Sequence, residues 1–409
     1  MMLNKLGGVI LLDKRLDFPM LDKNIIYFDN GATTFKPNFV INSVVDYYKN
    51  YSANAHRGDY SISYKVDVAY ESARKKIADF INADFEEVVF TSGTTESINM
   101  IANGFFKNIL DQDDEILITK SEHASNVLPW FNLSNLIGVK IKYIELDDNL
   151  HVTIDNVIKS ITPRTKLISI AGITNVVGDI RPIEDICKYA HANNIFVCID
   201  GAQLVPHRKV DVKKIDCDFL AFSGHKMCGP TGIGVLYGKK ELLDNLIPTN
   251  VGGGMNESFD NEFEVVYKDL PNRLEAGTPN IAGAIGLATA VDYLNNIGMD
   301  KIELYESNLR KYLIDKLIKL DYVDIINLES ESGIVSFNID GIFSQDVAFY
   351  LNKYNICVRS GNHCAKILKN ETGVKNSVRV SLYFYNTYEE IDNLIDLLSD
   401  KEKIMREMI

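Results

Sequence analysis

The 409-residue sequence is short of positive charge: 43 Lys and Arg stand against 56 Asp and Glu, a formal net charge of −13. That balance argues against a nucleic-acid binder, whose surface needs clustered basic side chains. Long apolar runs are also missing. No stretch approaches the ~18 residues a membrane-crossing helix needs, so no membrane association is expected. The run 7–12, Gly-Gly-Val-Ile-Leu-Leu, is short, is followed by Asp13, Lys14 and Arg15, and has no small-residue cleavage site. It reads as the start of an amphipathic helix, not as a signal peptide. The six cysteines include no C-x-x-C pair, and the seven histidines do not cluster with them. That spacing argues against a metal site. Without a secretory signal the cysteines imply no disulfide framework, and the expected location is the reducing cytoplasm. Internal repeats and low-complexity segments are absent.

What is present is enough apolar material, 46% of the chain, for a large core. Short β-branched runs alternate with helical patterns between about 86 and 238. Strands are predicted near 87–90, 116–119, 140–146, 167–170, 195–199, 219–222 and 234–237, with a helix over 181–193. Apolar strands alternating with helices predict an α/β fold around a mostly parallel sheet covered on both faces. Two long helices are predicted over 281–319. The pattern then changes to strand, helix, strand and a last helix from about 388, which reads as a smaller α+β domain. The expected division is an N-terminal segment 1–23 packed with the small domain, a large domain 24–295 and a small domain 296–409.

Ligands of open α/β sheets collect at the carboxyl ends of the strands. Polar residues fall at several such ends. Asp200 closes one strand and Gln203 follows it. Ser223, His225 and Lys226 follow another. Thr94 and Thr95, after Gly93, open a helix, where free N–H groups and hydroxyls suit a phosphate; an ordinary N-cap is the plainer reading. Taken singly, Asp200 is a turn residue, Lys226 a solvated lysine and His123 a loop histidine. Together they suit one chemistry. A lysine amine forms a Schiff base, an aspartate keeps a pyridinium protonated and a helix end holds a phosphate, which are the needs of pyridoxal phosphate. The stretch RSGNHCAK, 359–366, adds a cysteine among turn-forming polar residues.

With those motifs assembled, the sequence resembles class V, fold-type I pyridoxal-phosphate enzymes, and within them cysteine desulfurases of the SufS type. The resemblance spans nearly the whole chain. It rests on ANAHRG (53–58), TSGTTESIN (91–99), EHASNVLPW (122–130), TNVVGDIRP (174–182), DGAQLVPH (200–207), FSGHKMCGPTGIG (222–234), RLEAGTPN (273–280) and RSGNHCA (359–365). It implies a large domain with a seven-stranded sheet and the cofactor pyridoxal 5′-phosphate on Lys226. Asp200 would face the ring nitrogen, Gln203 the ring hydroxyl, and His123 would stack on the ring. Thr95, Ser223 and His225, with Thr94 nearby, would hold the phosphate. Thr278 would reach the phosphate of the neighbouring subunit in a homodimer. Arg379 and Asn175 would bind the substrate carboxylate, with His56 and Arg359 in the same pocket.

By the same resemblance Cys364 is the nucleophile that takes sulfur from L-cysteine, giving L-alanine and a Cys364 persulfide for an acceptor protein of the SufE or SufU kind. Iron–sulfur cluster assembly is the expected destination. Two departures stand out. The segment 341–346 has no histidine, which relatives served by the zinc-containing SufU kind often carry, and Ala365-Lys-Ile-Leu368 has no proline. Selenocysteine lyase, aminotransferase and kynureninase-like activities are the alternatives from the same class. Activation of the thiol by His363, by Arg359 or by the substrate-bound cofactor stays open, and so does a packing role for His363. The other five cysteines read as packing residues.

Overall fold

The structure is a computed structural model and describes residues 13–55, 58–373 and 375–407. The helix expected at 7–12 and the expected site residue His56 lie outside the described residues.

Seven strands form the main sheet: β2 (Val88–Thr91), β3 (Glu115–Thr119), β4 (Lys140–Ile144), β5 (Thr165–Ala171), β6 (Phe196–Asp200), β7 (Phe219–Ser223) and β8 (Gly234–Gly238). Their order is β2-β8-β7-β6-β5-β3-β4. Every neighbour pair from β7 to β4 is parallel, and β8 runs antiparallel to both β2 and β7. β2 and β7 therefore point the same way, so Thr91, Thr119, Ala171, Asp200 and Ser223 all end on one edge. These are the apolar, β-branched runs expected from sequence. β7 and β8 are buried at every residue because helices cover both faces. The fold is thus the expected α/β architecture on a mostly parallel seven-stranded sheet. No helix among the described residues is long and apolar enough to cross a membrane.

On one face the helix Ile281–Ile297 packs against Asn38–Asn50 and Ser61–Ile81. It is rich in Ala and Gly and buried along most of its length. Its start is fixed by Asn280, whose side chain accepts from the Gly283 N–H at 2.9 Å.

A second sheet has the order β11-β12-β15-β14, built from β11 (Val323–Ile325), β12 (Ile334–Ile339), β14 (Arg359–Gly361) and β15 (Ser377–Ser381). The N-terminal part of the chain is tied to it. β1 (Ile26–Tyr27) pairs with β13 (Ile356–Cys357), and Asn30 Nδ2 donates to the Ser381 carbonyl at 2.8 Å. Further back, Arg15 pairs with Glu390 at 2.8 Å, and Phe18 packs on Tyr293, Phe384 and Tyr385. A hairpin of β9 (Asn256–Phe259) and β10 (Val265–Tyr267) stands apart from both sheets.

Candidate active site

At the carboxyl edge of the main sheet lies a cavity of about 180 Å³. Its walls come from the ends of five strands, β2, β3, β5, β6 and β7, and from the second sheet. Gly234, opposite both Thr91 and Ser223, makes one wall possible: a Cβ there would sit 2.4 Å from Gly93 Cα. The close approach lets Ser223 Oγ accept from the Thr94 N–H at 2.9 Å and meet Thr94 Oγ1 at 2.8 Å. Two hydroxyls and the start of the helix Thr94–Ile101 are thereby gathered at one end of the cavity. Thr95 stands at the rim, bonded to Ser125 Oγ at 2.8 Å.

Asp200 and Lys226 enter from β6 and from the turn after β7. Asp200 is 4% exposed and its Oδ1 accepts from the Ala202 N–H at 2.9 Å, leaving Oδ2 without a hydrogen bond among the described residues. Burial pushes its carboxyl up to about 6, opposed by the nearby Lys226 charge. Burial likewise pushes the Lys226 amine down to about 8. Each charged form is therefore disfavoured by desolvation and favoured by the other. Gln203 donates Nε2–H to the Gly31 carbonyl at 2.7 Å, but its buried Oε1 has no partner among the described residues.

His123 follows β3. Its Nδ1 accepts from the Ser125 N–H at 3.1 Å, which leaves the ring proton on Nε2. Burial, then the charges of Lys226, Arg359 and Arg379, push the imidazolium down to about 4, so the ring is neutral at physiological pH. His225 is also pushed down to about 4, by burial and then by Lys226 and Lys36.

The far wall belongs to the second sheet. Arg359 on β14 and Arg379 on β15 are directly paired across the strands, and both line the cavity. Arg379 is fully buried; it donates to Asp29 Oδ1 at 2.7 Å and to the Asn175 carbonyl at 2.9 Å, and its Nε has no partner. Gly31 packs against that guanidinium so closely that a Cβ would lie 3.2 Å from it. Asn175 is held by the His363 carbonyl at 2.7 Å, and its buried Oδ1 is also unpartnered.

Cys364 sits at the edge of this arrangement, half-buried, with Arg359 Nη2 3.7 Å from its Sγ. Its carbonyl accepts from the Ala124 N–H at 2.8 Å, next to His123. His363 and Cys364 have φ of 50° and 63°, two consecutive left-handed residues that are not glycine. Such backbone is strained and persists where surroundings enforce it, often at functional positions. His363 is 2% exposed; its Nε2 donates to the Ser377 carbonyl at 3.1 Å, and burial and the two arginines push it down to about 3. Of the cysteines, 187, 198, 217 and 228 are buried, and only Cys357 shares the half-buried class of Cys364. Thr278 is exposed and lies outside the cavity of its own chain.

The comparisons with known proteins bear on what this cavity is. Residues 26–394 match the model of the class V aminotransferases. A cysteine desulfurase of Haloferax volcanii is 39% identical over 405 residues, covering 94% of this chain and 95% of that protein. The apo structure of a cysteine desulfurase from Thermococcus onnurineus NA1 superposes with a TM-score of 0.92 at 39% identity, covering 96% and 98% of the two chains. Cysteine desulfurase CsdA from Escherichia coli, as its S-sulfonic acid, gives 0.91 at 33% identity, covering 98% and 99%.

The chain belongs to the class V aminotransferase family, among its cysteine desulfurases. The cofactor of these enzymes is pyridoxal 5′-phosphate, and the residues present fit it. An acceptor of a ring hydroxyl is waiting at Gln203 Oε1, a buried carboxylate at Asp200 and a half-buried primary amine at Lys226. A desulfurase cavity with two facing arginines also suits an amino-acid carboxylate.

Several residues that shape the site escaped the sequence reading. Glu122 beside His123 is fully paired: Arg181 bonds it, Asn126 Nδ2 and the Ala171 N–H donate to it at 2.8 and 2.9 Å, and Asp179 bonds Arg181 at 3.3 Å. This buried network joins the ends of β3 and β5 under His123. Glu275 takes both guanidinium nitrogens of the buried Arg74, at 2.7 and 2.9 Å, and holds the segment leading to Thr278. These residues lie in polar stretches, so nothing local marked them out.

Proposed function

We propose that the protein is a SufS-type cysteine desulfurase that takes sulfur from L-cysteine, releases L-alanine and keeps the sulfur as a persulfide on Cys364. An acceptor protein of the SufE or SufU kind then removes it in the cytoplasm, for iron–sulfur cluster assembly. The observation that carries this reading is the placement of Cys364 Sγ, 3.7 Å from Arg359 at the edge of the cavity that holds Lys226 and Asp200.

Bound pyridoxal phosphate supplies an electron sink that makes the Cα proton of an attached amino acid labile. Thr94, Thr95, Ser223 and His225 would hold its phosphate, Asp200 its ring nitrogen and Gln203 its hydroxyl, and the neutral ring of His123 would stack on it without adding charge. Arg379 and Asn175 hold the substrate carboxylate, with Arg359 alongside. Lys226 removes the proton at Cα; an amine at about 8 is neutral in roughly one molecule in ten at pH 7, far more than an ordinary lysine. The Cys364 thiolate attacks the substrate sulfur. A sulfur–sulfur bond forms as the Cβ–sulfur bond breaks, the electron pair stays on Cβ and takes up a proton there, and the proton that Lys226 removed returns to Cα to complete alanine. His363 takes no part in this proton traffic, because its ring is locked to Ser377.

The working unit is a homodimer in which Thr278 reaches the neighbouring phosphate. Its exposure supports this, as do the apolar residues Ile41, Val45 and Tyr48 that the helix Asn38–Asn50 leaves in solvent. Residues 24–295 form the cofactor-binding domain, and 296–409 the small domain with the cysteine loop. Contacts of Arg15 and Phe18 with residues 384–390 support packing of the 1–23 segment on the small domain.

Purification without added cofactor tests the reading. The expected sample is yellow and forms alanine from L-cysteine with a small thiol, and it forms alanine faster when an acceptor protein is added. A colourless protein that takes up no pyridoxal phosphate and forms no alanine would overturn it.

A further inference from the structure

Behind the Cys364 loop lies a second cavity, of about 260 Å³. Residues 175 and 176 form part of the partition: Asn175 lines the first cavity and Val176 the second. The second cavity is basic. Lys366, Lys369 and Lys375 line it, are exposed, and have no acidic partner among the described residues; the neighbouring Glu371 is taken by Lys120 at 2.7 Å. His363 is among its lining residues, and its buried Nδ1 has no hydrogen-bond partner among the described residues. Three lysines without an acidic partner among the described residues thus gather on a chain whose formal net charge is −13.

The loop between the cavities is pinned. The Cys364 N–H donates to Asn362 Oδ1 at 3.1 Å, its carbonyl accepts from Ala124 at 2.8 Å, and the His363 carbonyl accepts from Asn175 at 2.7 Å. A half-buried sulfur on such a loop cannot travel outward, so an incoming thiol has to be brought to it.

We propose that the second cavity and its three lysines dock an acidic lobe of the thiol-bearing protein that collects sulfur from Cys364. This rests on the persulfide reading above. In the transfer, the partner thiolate attacks the outer sulfur of the persulfide. The bond between that sulfur and Cys364 breaks, and Cys364 leaves as a thiolate that takes up the proton the partner released. No oxidant or reductant is consumed. Complementary charge raises encounter rates by about tenfold or more at low salt, and the effect fades as salt shortens the screening length.

The test loads the holoenzyme with ³⁵S from labelled L-cysteine and offers two synthetic single-cysteine peptides, one flanked by glutamates and the other by lysines. At about 50 mM NaCl the acidic peptide should take label about tenfold faster, with the preference collapsing near 300 mM. The triple variant K366E/K369E/K375E should lose or invert the preference and keep its alanine formation with dithiothreitol. K366R/K369R/K375R should retain the preference. Equal rates for the two peptides, or an unchanged preference in the glutamate variant, would overturn the docking face while leaving the desulfurase intact. Loss of the preference in millimolar inorganic phosphate at constant ionic strength would also overturn it, in favour of a small-anion site. Absence of label on Cys364 would overturn the persulfide reading and this one together.

Discussion

Arg359 and Arg379 stand directly opposite each other on adjacent antiparallel strands. Like charges so placed repel, by a few tenths of a kcal/mol to about 1. Among the described residues only Arg379 of the two has a carboxylate partner, Asp29, and burial lowers its affinity for its proton. Arg359 turns to the sulfur of Cys364 instead. Two guanidinium groups facing one cavity are stable there when an anion arrives.

The two arginines should therefore separate in mutagenesis. Arg359→Met should raise the stability of the cofactor-free protein by about 0.5 kcal/mol in urea, by removing the repulsion. It should also slow iodoacetamide alkylation of Cys364 at neutral pH several-fold, since the thiolate loses its nearest cation. Arg379→Met should leave that alkylation nearly unchanged and raise KM for L-cysteine by about tenfold or more, the worth of one charge-assisted contact.

His363 gives a pH signature. An unfolded histidine titrates near ~6.5, whereas the buried His363 is pushed down to about 3. Above 6.5 both states are neutral and its contribution is fully present. As pH falls below 6.5 the unfolded chain takes up a proton that the folded chain refuses, so stability is lost. His363→Asn removes this titration while keeping a residue that tolerates the left-handed backbone. The stability gap between wild type and variant should shift by about 1.4 kcal/mol per pH unit, to the detriment of wild type, between pH 6 and 4. Urea midpoints of the cofactor-free proteins read it. Alanine formation at pH 7 to 8 should stay within a few-fold of wild type.

Glu275→Gln should destabilise by about 3 kcal/mol, because it strands the fully buried Arg74 without its carboxylate. Lys214→Ala, which breaks the exposed pair with Glu184, should leave the urea midpoint where it is.

The main sheet was legible because fully buried strands read as apolar β-branched runs with polar residues at their ends. Lys226, Asp200, Thr94 and His123 could be placed on that logic alone, and the family resemblance then supplied Arg379. Other features left no local signal. β14 is only Arg-Ser-Gly, and β1 and β13 have two residues each, so pairing rather than composition makes them strands. The β9–β10 hairpin is exposed and shows little alternation. Arg74 and Glu275 meet across a sequence separation of 201 residues, which no spacing rule reveals. For His363 the sequence left acid–base help and packing equally open; the structure adds a bond from its Nε2 to Ser377 across the loop, which supports packing.

Mass analysis of peptides from the holoenzyme, quenched after one turnover with L-cysteine and no reductant, reads the proposed sulfur transfer itself. The expected result is a gain of one sulfur atom on the peptide containing Cys364, one alanine per sulfur bound, and neither product in Cys364→Ala, whose visible cofactor band persists. Sulfur found on Cys357 instead, or alanine still formed at the wild-type rate by Cys364→Ala, would contradict it.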